Sequence, residues 1–268
     1  MNFLWSMLFF AAFCADFAWA RAAANPFVDQ QLTVKGRIIG GTNAGKGEFP
    51  WQVSLHIRGF GHFCGGAIVS KKHIVTAAHC SKYNLDALSI LAGSIYRDEG
   101  IRFGVRSMTL HPGYDRRIRK VQAYDIAVWE LDGYFRYFTF SEYIKPVLFG
   151  EDRVKNWWYV TVSGWGRISH SDPATPYNLK KAVLPIVSKE KCNKMYKDFT
   201  GRGIKKNTIC AGGEGVDTCY GDSGSPLVKN GRLYGIVSFA LGCGYLPGGY
   251  TEVAPYASWI LLTISKVE

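Results

Sequence analysis

Between Trp51 and Val253 the chain repeats one rhythm, and that rhythm limits what it can fold into. Short runs alternate apolar and polar residues, and clusters of Gly, Pro, Asn or Asp break them. Trp51-Gln52-Val53-Ser54-Leu55-His56-Ile57 shows the alternation most clearly. Further strand-like runs occupy 62–69, 73–76, 88–91, 102–110, 126–131, 157–162, 182–187, 227–228, 232–239 and 249–253. Alternation gives a strand one face for a core and one for water. Many such strands without long amphipathic helices between them predict an all-β barrel or sandwich. One helix is expected, at the C-terminus. There Pro255 can open it, and Tyr256, Trp259, Ile260 and Ile264 share a face. With 268 residues the chain can build one large or two small packed units, and 15% aromatic content suits strands around a substantial core.

The first twenty residues are different. They are almost wholly apolar, Asp16 is their only charge, and Ala18-Trp19-Ala20 supplies a small-x-small cleavage pattern. Residues 1–20 therefore read as a signal peptide, although the basic start of such peptides is missing. Asp16 and Arg21 argue against a membrane anchor, which wants ~20 clean apolar residues. A secreted, extracellular protein is expected, with no membrane span. Of seven cysteines, Cys14 leaves with the signal peptide. The remaining six, Cys64, Cys80, Cys192, Cys210, Cys219 and Cys243, predict three disulfides in an exported chain. Spacing leaves all of the roughly 15 pairings open. No C-x-x-C pair points to zinc, and no N-x-S/T sequon occurs. Residues 21–37 look unable to form a core, and they end in Lys35-Gly36-Arg37 before Ile38-Ile39-Gly40-Gly41, a plausible processing site.

Chemistry concentrates in residues 217–226, Asp217-Thr218-Cys219-Tyr220-Gly221-Asp222-Ser223-Gly224-Ser225-Pro226. A serine hydroxyl needs a base and a site for an oxyanion before it can act as a nucleophile. Gly221 and Gly224 allow a sharp turn that aims N–H groups at a developing charge. A base candidate is His79, in Val75-Thr76-Ala77-Ala78-His79-Cys80. An acid candidate is Asp125, at the head of Ile126-Ala127-Val128-Trp129-Glu130-Leu131. An acid heading an apolar strand is costly to bury unless it is paired. It could fix the histidine tautomer and stabilise the imidazolium.

These stretches come in a familiar order. Ile38-Ile39-Gly40-Gly41, Thr76-Ala77-Ala78-His79-Cys80, Asp125-Ile126-Ala127, Ser163-Gly164-Trp165-Gly166 and Gly221-Asp222-Ser223-Gly224 together resemble the chymotrypsin-like (S1) serine proteases, trypsin most of all. The resemblance runs from Ile38 to the end, and the His, Asp, Ser order matches this family rather than other triad folds. It implies two six-stranded antiparallel β-barrels with a C-terminal helix, a protease domain over 38–268. His79 and Asp125 would lie on the first barrel and Ser223 on the second. Ser223 would attack the scissile carbonyl, His79 would shuttle the proton, and Asp125 would orient His79. The N–H groups of Gly221 and Ser223 would form the oxyanion hole. No cofactor and no metal are needed for this chemistry. The loop Ser94-Ile95-Tyr96-Arg97-Asp98-Glu99 is too short and poor in acids for the calcium site of some trypsins.

The resemblance also implies a zymogen. Cleavage after Arg37, an activation segment spanning 21–37, would free the amine of Ile38 to pair with Asp222. Arg37 is itself a tryptic site, so the activating enzyme could be another protease or the chain itself. Asp217 would form the base of the primary pocket and receive Arg or Lys, with Gly248 keeping the pocket open. Ser238-Phe239-Ala240 resembles the strand that pairs with the substrate backbone. The family usually has Ser-Trp-Gly there, so Ala240 places a methyl at the pocket mouth. Ser225 replaces a frequent glycine. The implied disulfides are Cys64–Cys80, Cys192–Cys210 and Cys219–Cys243. Vertebrate trypsins carry another bridge whose ends would fall at Val160 and Lys229, so the set is of the invertebrate type. The expected partners are protein or peptide substrates and protein protease inhibitors, with no nucleic acid, and the expected state is a monomer.

Net charge is +11, and losing residues 1–37, with three basic and two acidic side chains, leaves +10. Arg116-Arg117-Ile118-Arg119-Lys120 is the densest basic cluster. In this family that loop borders the substrate cleft, where it is either a solvated loop or a preference for acidic residues upstream of the cut or for anionic surfaces. Two other readings remain: a binding protein on an inactive protease fold, and a protease with non-tryptic specificity set by Ala240. The presence of all three triad residues weighs against the first.

Overall fold

The computed structural model describes residues 41–118, 123–132, 137–169, 174–213 and 215–266. The expected signal peptide and activation segment, Arg37 and Ile38 included, lie outside the described residues, as do Arg119 and Lys120.

After a two-residue strand β1 (Thr42–Asn43) come β2 (Gln52–Ile57), β3 (Gly61–Ile68), β4 (His73–Thr76), β5 (Leu88–Ala92), β6 (Ile101–Leu110) and β7 (Ala127–Leu131). They pair antiparallel in the order β2-β3-β4-β7-β6-β5, and β5 pairs back to β2, which closes a barrel. The short β8 (Leu148–Phe149) follows, then β9 (Tyr159–Gly164), β10 (Lys180–Val187), β11 (Thr208–Ala211), β12 (Pro226–Lys229), β13 (Arg232–Phe239) and β14 (Gly248–Glu252). The ring β10-β11-β14-β13-β12-β9 closes through the β9–β10 pairing, and β1 and β8 attach outside it. The expected pair of six-stranded antiparallel barrels is therefore present. Val53, Leu55, Ile74, Ile90, Trp129 and Leu131 fill the first core, and Val162, Leu184, Ile209, Leu227 and Tyr250 the second. No helix among the described residues is long and apolar enough to cross a membrane.

β2 departs from its predicted pattern in a useful way. Gln52, Ser54 and His56 were expected to face water, yet all three are buried. Buried polar groups need partners, and these find them on the second barrel, on β3, on a nearby loop and on one another. Ser163 Oγ donates to Gln52 Oε1 at 2.7 Å. Ser54 Oγ lies 2.8 Å from both His62 Nδ1 and His56 Nε2. The polar face of β2 is thus part of the seam between the barrels.

Two α-helices complete the fold among the described residues. The C-terminal one begins as a 3-10 turn, Ala254–Tyr256, before α-helical Ala257–Ser265. Tyr256 and Ile260 are buried in the first barrel's core cluster, and Trp259 and Ile264 pack against it, which is the face the sequence showed. The other helix, Lys189–Thr200, was not expected. Only Cys192 and Tyr196 of it are buried, a stripe too narrow to stand out among its lysines. Its frame was readable, however: Ser188 Oγ accepts from Lys191 N–H, and Gly201 stops the helix at φ 72°.

The disulfides Cys64–Cys80, Cys192–Cys210 and Cys219–Cys243 are all formed. The first closes a loop of 16 residues onto the turn that carries His79. Replacing both of its cysteines by alanine is expected to cost about 3 kcal/mol by loop entropy. Thermal unfolding should then shift down by roughly 6–12 °C in a chain of this size.

Candidate active site

Strand pairing brings His79 and Asp125 together across 46 residues of sequence. β4 and β7 run antiparallel with Thr76 opposite Ala127, so the end of one lies beside the start of the other. β4 leads into a 3-10 turn, Ala78–Cys80, that holds up His79. Asp125 sits two residues before β7, where Tyr124 takes a left-handed φ of 59°. The Asp125 carboxylate is buried. Oδ1 takes the His79 backbone N–H at 2.9 Å, and Oδ2 takes His79 Nδ1–H at 2.8 Å and Ser238 Oγ–H at 2.5 Å. Thr251 Oγ1 donates to the Asp125 carbonyl at 2.9 Å. Ser238 and Thr251 belong to β13 and β14, so the second barrel grips the acid of the first.

Ser238 was assigned to the substrate strand from sequence, and its bond to Asp125 was not foreseen. Burial disfavours protonation of His79, but the charge and hydrogen bond of Asp125 outweigh it, and the imidazole pKa is raised above 6.5 against a lowering push from Lys82. With Nδ1–H committed to Asp125, Nε2 is left as the acceptor.

The serine turn is packed onto the same place. Gly65 N–H donates to the Ser223 carbonyl at 2.7 Å, and Gly224 N–H to Val237 at 2.8 Å. Gly224 has φ 81°, and a Cβ there would lie 2.2 Å from Thr76 Oγ1 and 2.4 Å from the Gly65 carbonyl. Only glycine lets the Ser223 turn close against Thr76 and Ala77, just ahead of His79. Ser225 is fully buried, and its hydroxyl occupies the space that a Cβ on Gly65 would need. The departure from glycine at 225 is therefore accommodated by the glycine opposite.

Gly221 has φ 100°, and its carbonyl accepts from His62 Nε2 at 3.1 Å. Burial drops the His62 pKa to about 3, so this ring is a neutral brace. Among the described residues, the N–H groups of Gly221 and Ser223 donate to no backbone carbonyl, whereas those of Asp222 and Ser225 donate within the turn and that of Gly224 donates to Val237. The His62–Ser54 support of Gly221 was missed from sequence, since nothing in the 62–69 strand run marks it.

Two buried carboxylates precede the serine in the chain. Asp222 accepts Gly166 N–H at 2.8 Å and Cys219 N–H at 3.0 Å. Burial still lifts its pKa to about 6. Asp217 accepts Thr218 N–H at 2.7 Å on one oxygen and Gly244 N–H at 3.2 Å on the other, and burial lifts it to about 7. Gly248 lies against it, and a Cβ there would come within 2.6 Å of Asp217 Oδ1. Cys219–Cys243 ties the segment that follows Asp217 to the loop carrying Gly244. Ala240 is half-buried. Phe239 covers Gly249 and meets Tyr196 of the unexpected helix edge-on at 5.5 Å. Cys64, His79 and Cys80 cluster closely enough for a metal, but both sulfurs are in a disulfide and offer no thiolate.

A carboxylate-held imidazole, with a serine on a glycine turn packed against the strand end that leads to it, suits attack on a carbonyl. With a closed barrel on either side, this is the arrangement of the chymotrypsin-like serine proteases. The chain belongs to the trypsin family, whose model matches residues 38–260, and it is a trypsin-like serine endopeptidase. Trypsin delta of Drosophila melanogaster is 39% identical over 230 residues, covering 84% of this chain and 88% of that one. Hypodermin-B of Hypoderma lineatum is 39% identical over 229 residues, covering 84% and 86%. Among solved structures, mouse neuropsin, a serine protease expressed in the limbic system of the brain, aligns with a TM-score of 0.76 at 31% identity, covering 84% of this chain and 98% of that one.

Proposed function

We propose that the chain is a secreted zymogen, activated by cleavage after Arg37, that hydrolyses peptide bonds following arginine or lysine. The observation that carries the specificity is Asp217, a buried carboxylate whose neighbours are neutral donors and whose pKa stands at about 7. A guanidinium or ammonium entering the pocket would supply the missing charge. Substrate backbone would add to the edge of β13 along Ser238–Phe239–Ala240. Ser223 Oγ attacks the carbonyl as His79 Nε2 takes its proton, and an acyl-enzyme forms on Ser223. His79 gives the proton to the leaving amine, and water then repeats the cycle. The N–H groups of Gly221 and Ser223 hold the oxyanion.

Asp222 explains the need for activation. A buried carboxylate with only backbone donors is unfavourable once ionised. The freed ammonium of Ile38 would pair with it and fix the Gly221–Ser223 turn. Secretion rests on residues 1–20 and the three disulfides. Protein protease inhibitors that present an arginine or lysine would occupy the same pocket.

The test is cleavage after Arg37 followed by assay of paired peptides that differ only in Arg, Lys, Phe or Ala at the cut position. Activity confined to Arg and Lys is expected, and an Arg37→Gln chain should remain inactive. Preference for Phe or Ala would refute the role given to Asp217, and no activity on any peptide would favour a binding role.

The pH profile is a separate prediction. The base must be neutral at His79, whose pKa is raised, and the pocket must be ionised at Asp217, at about 7. Both conditions fail as pH falls. Below about pH 6.5 a plot of log kcat/KM for arginine peptides should therefore steepen beyond a slope of one.

A further inference from the structure

A cavity of about 590 Å³ opens beside His79, lined by Lys82, Tyr114, Arg116, Ile118, Ser238 and Phe239. Lys82 and Arg116 are exposed, and among the described residues neither has a carboxylate within ion-pair distance. The nearby carboxylates are engaged: Asp125 by His79 and Ser238, and Asp115 by Arg117 at 2.9 Å. The cavity therefore carries uncompensated positive charge. β12 pairs with β13 only as far as Pro226 opposite Ile236, so beyond Val237 that edge can receive another strand. A peptide laid there passes over Phe239, with side chains alternating toward and away from the cavity.

We propose that Lys82 and Arg116 make this cleft select substrates with aspartate or glutamate two to four residues upstream of the cleaved bond. The inference rests on the tryptic reading above and adds a second determinant to it. Two cations on the walls of a concave site focus their field and attract an acidic segment before it docks. The pairs formed are exposed, so the effect is modest and salt-sensitive. Of the five residues in the 116–120 cluster, Arg116 and Ile118 line the cavity, while Arg117 turns to Asp115.

The experiment uses the chain cleaved after Arg37 and peptides with arginine at the cut position. Glutamate, alanine or lysine is placed at each of three upstream positions, and the same upstream sequences are also made with phenylalanine at the cut. At ~50 mM salt the glutamate peptide should exceed its alanine counterpart in kcat/KM by about five- to tenfold at one or more positions. The ratio should fall toward one at ~0.5 M salt. Charge reversal by Lys82→Glu with Arg116→Glu should invert the order and favour upstream lysine. A ratio near one at every position at low salt overturns the proposal. So does a glutamate preference that survives the charge reversal. The arginine-to-phenylalanine comparison reads the primary pocket alone, so failure of the tryptic reading shows there whatever the upstream ratio.

Discussion

Ser223→Ala, in the chain cleaved after Arg37, is expected to lose about 10⁶-fold in kcat on arginine peptides, the scale set by removing the nucleophile of a convergent serine protease. In the proposed mechanism the hydroxyl is the atom that bonds to the carbonyl, so nothing on the turn should replace it. The fold should not suffer. What anchors residue 223 is its carbonyl, which accepts from Gly65 N–H, and that bond is main-chain. The barrels and all three disulfides lie outside the change. Thermal unfolding of the variant should therefore match the parent while steady-state turnover disappears. A loss of only tenfold would mean that another group carries the attack.

Asp217→Ser should have the next largest effect. On arginine and lysine peptides kcat/KM is expected to fall by about 10⁴-fold, because a buried site built for a charge leaves groups unpaired when the charge is gone. Peptides with phenylalanine or alanine at the cut should lose far less. The same variant makes a second prediction with a definite sign. The folded pKa of Asp217 is raised from 3.8 to about 7, so its favourable contribution to stability is complete below 3.8 and lost as pH rises through 7. A serine has no such term. The melting temperature of the variant relative to the parent should thus climb between about pH 4 and pH 8, and a flat difference would contradict the buried, unpaired state of Asp217.

Much of this molecule was visible in its sequence because the relevant signals are local. Alternation marked the strands, and Pro255 with the Tyr256 and Ile260 spacing marked the terminal helix. The short motifs around His79 and Asp125 marked two residues that the fold brings within hydrogen-bond distance, and the motif around Ser223 marked the proposed nucleophile. What stayed hidden depends on distant contacts. Gln52, Ser54 and His56 read as a solvent face, since a polar residue looks the same whether it meets water or another barrel. Ser238 gave no sign that it would hold Asp125, from which it is separated by 113 residues. His62 gave no sign that it would brace Gly221. The helix at Lys189–Thr200 was obscured for the opposite reason. Its burial rests on Cys192 and Tyr196, and a disulfide ties Cys192 to Cys210, which periodicity cannot register. Of the two departures from the family pattern, only Ser225 gained an explanation. Ser225 fits because Gly65 faces it, while Ala240 still stands half-buried beside the pocket strand.

The central claim is that one serine, made reactive by the His79–Asp125 pair, does the chemistry once Arg37 has been cut. It can be tested without a substrate. The chain is treated with a fluorophosphonate before and after cleavage at Arg37, and the adduct is located by mass spectrometry. The account predicts a single adduct on Ser223, rapid in the cleaved chain, slow in the uncleaved one, and absent in His79→Ala. An adduct on a different residue, or equal labelling of Ser223 with and without His79, would contradict it.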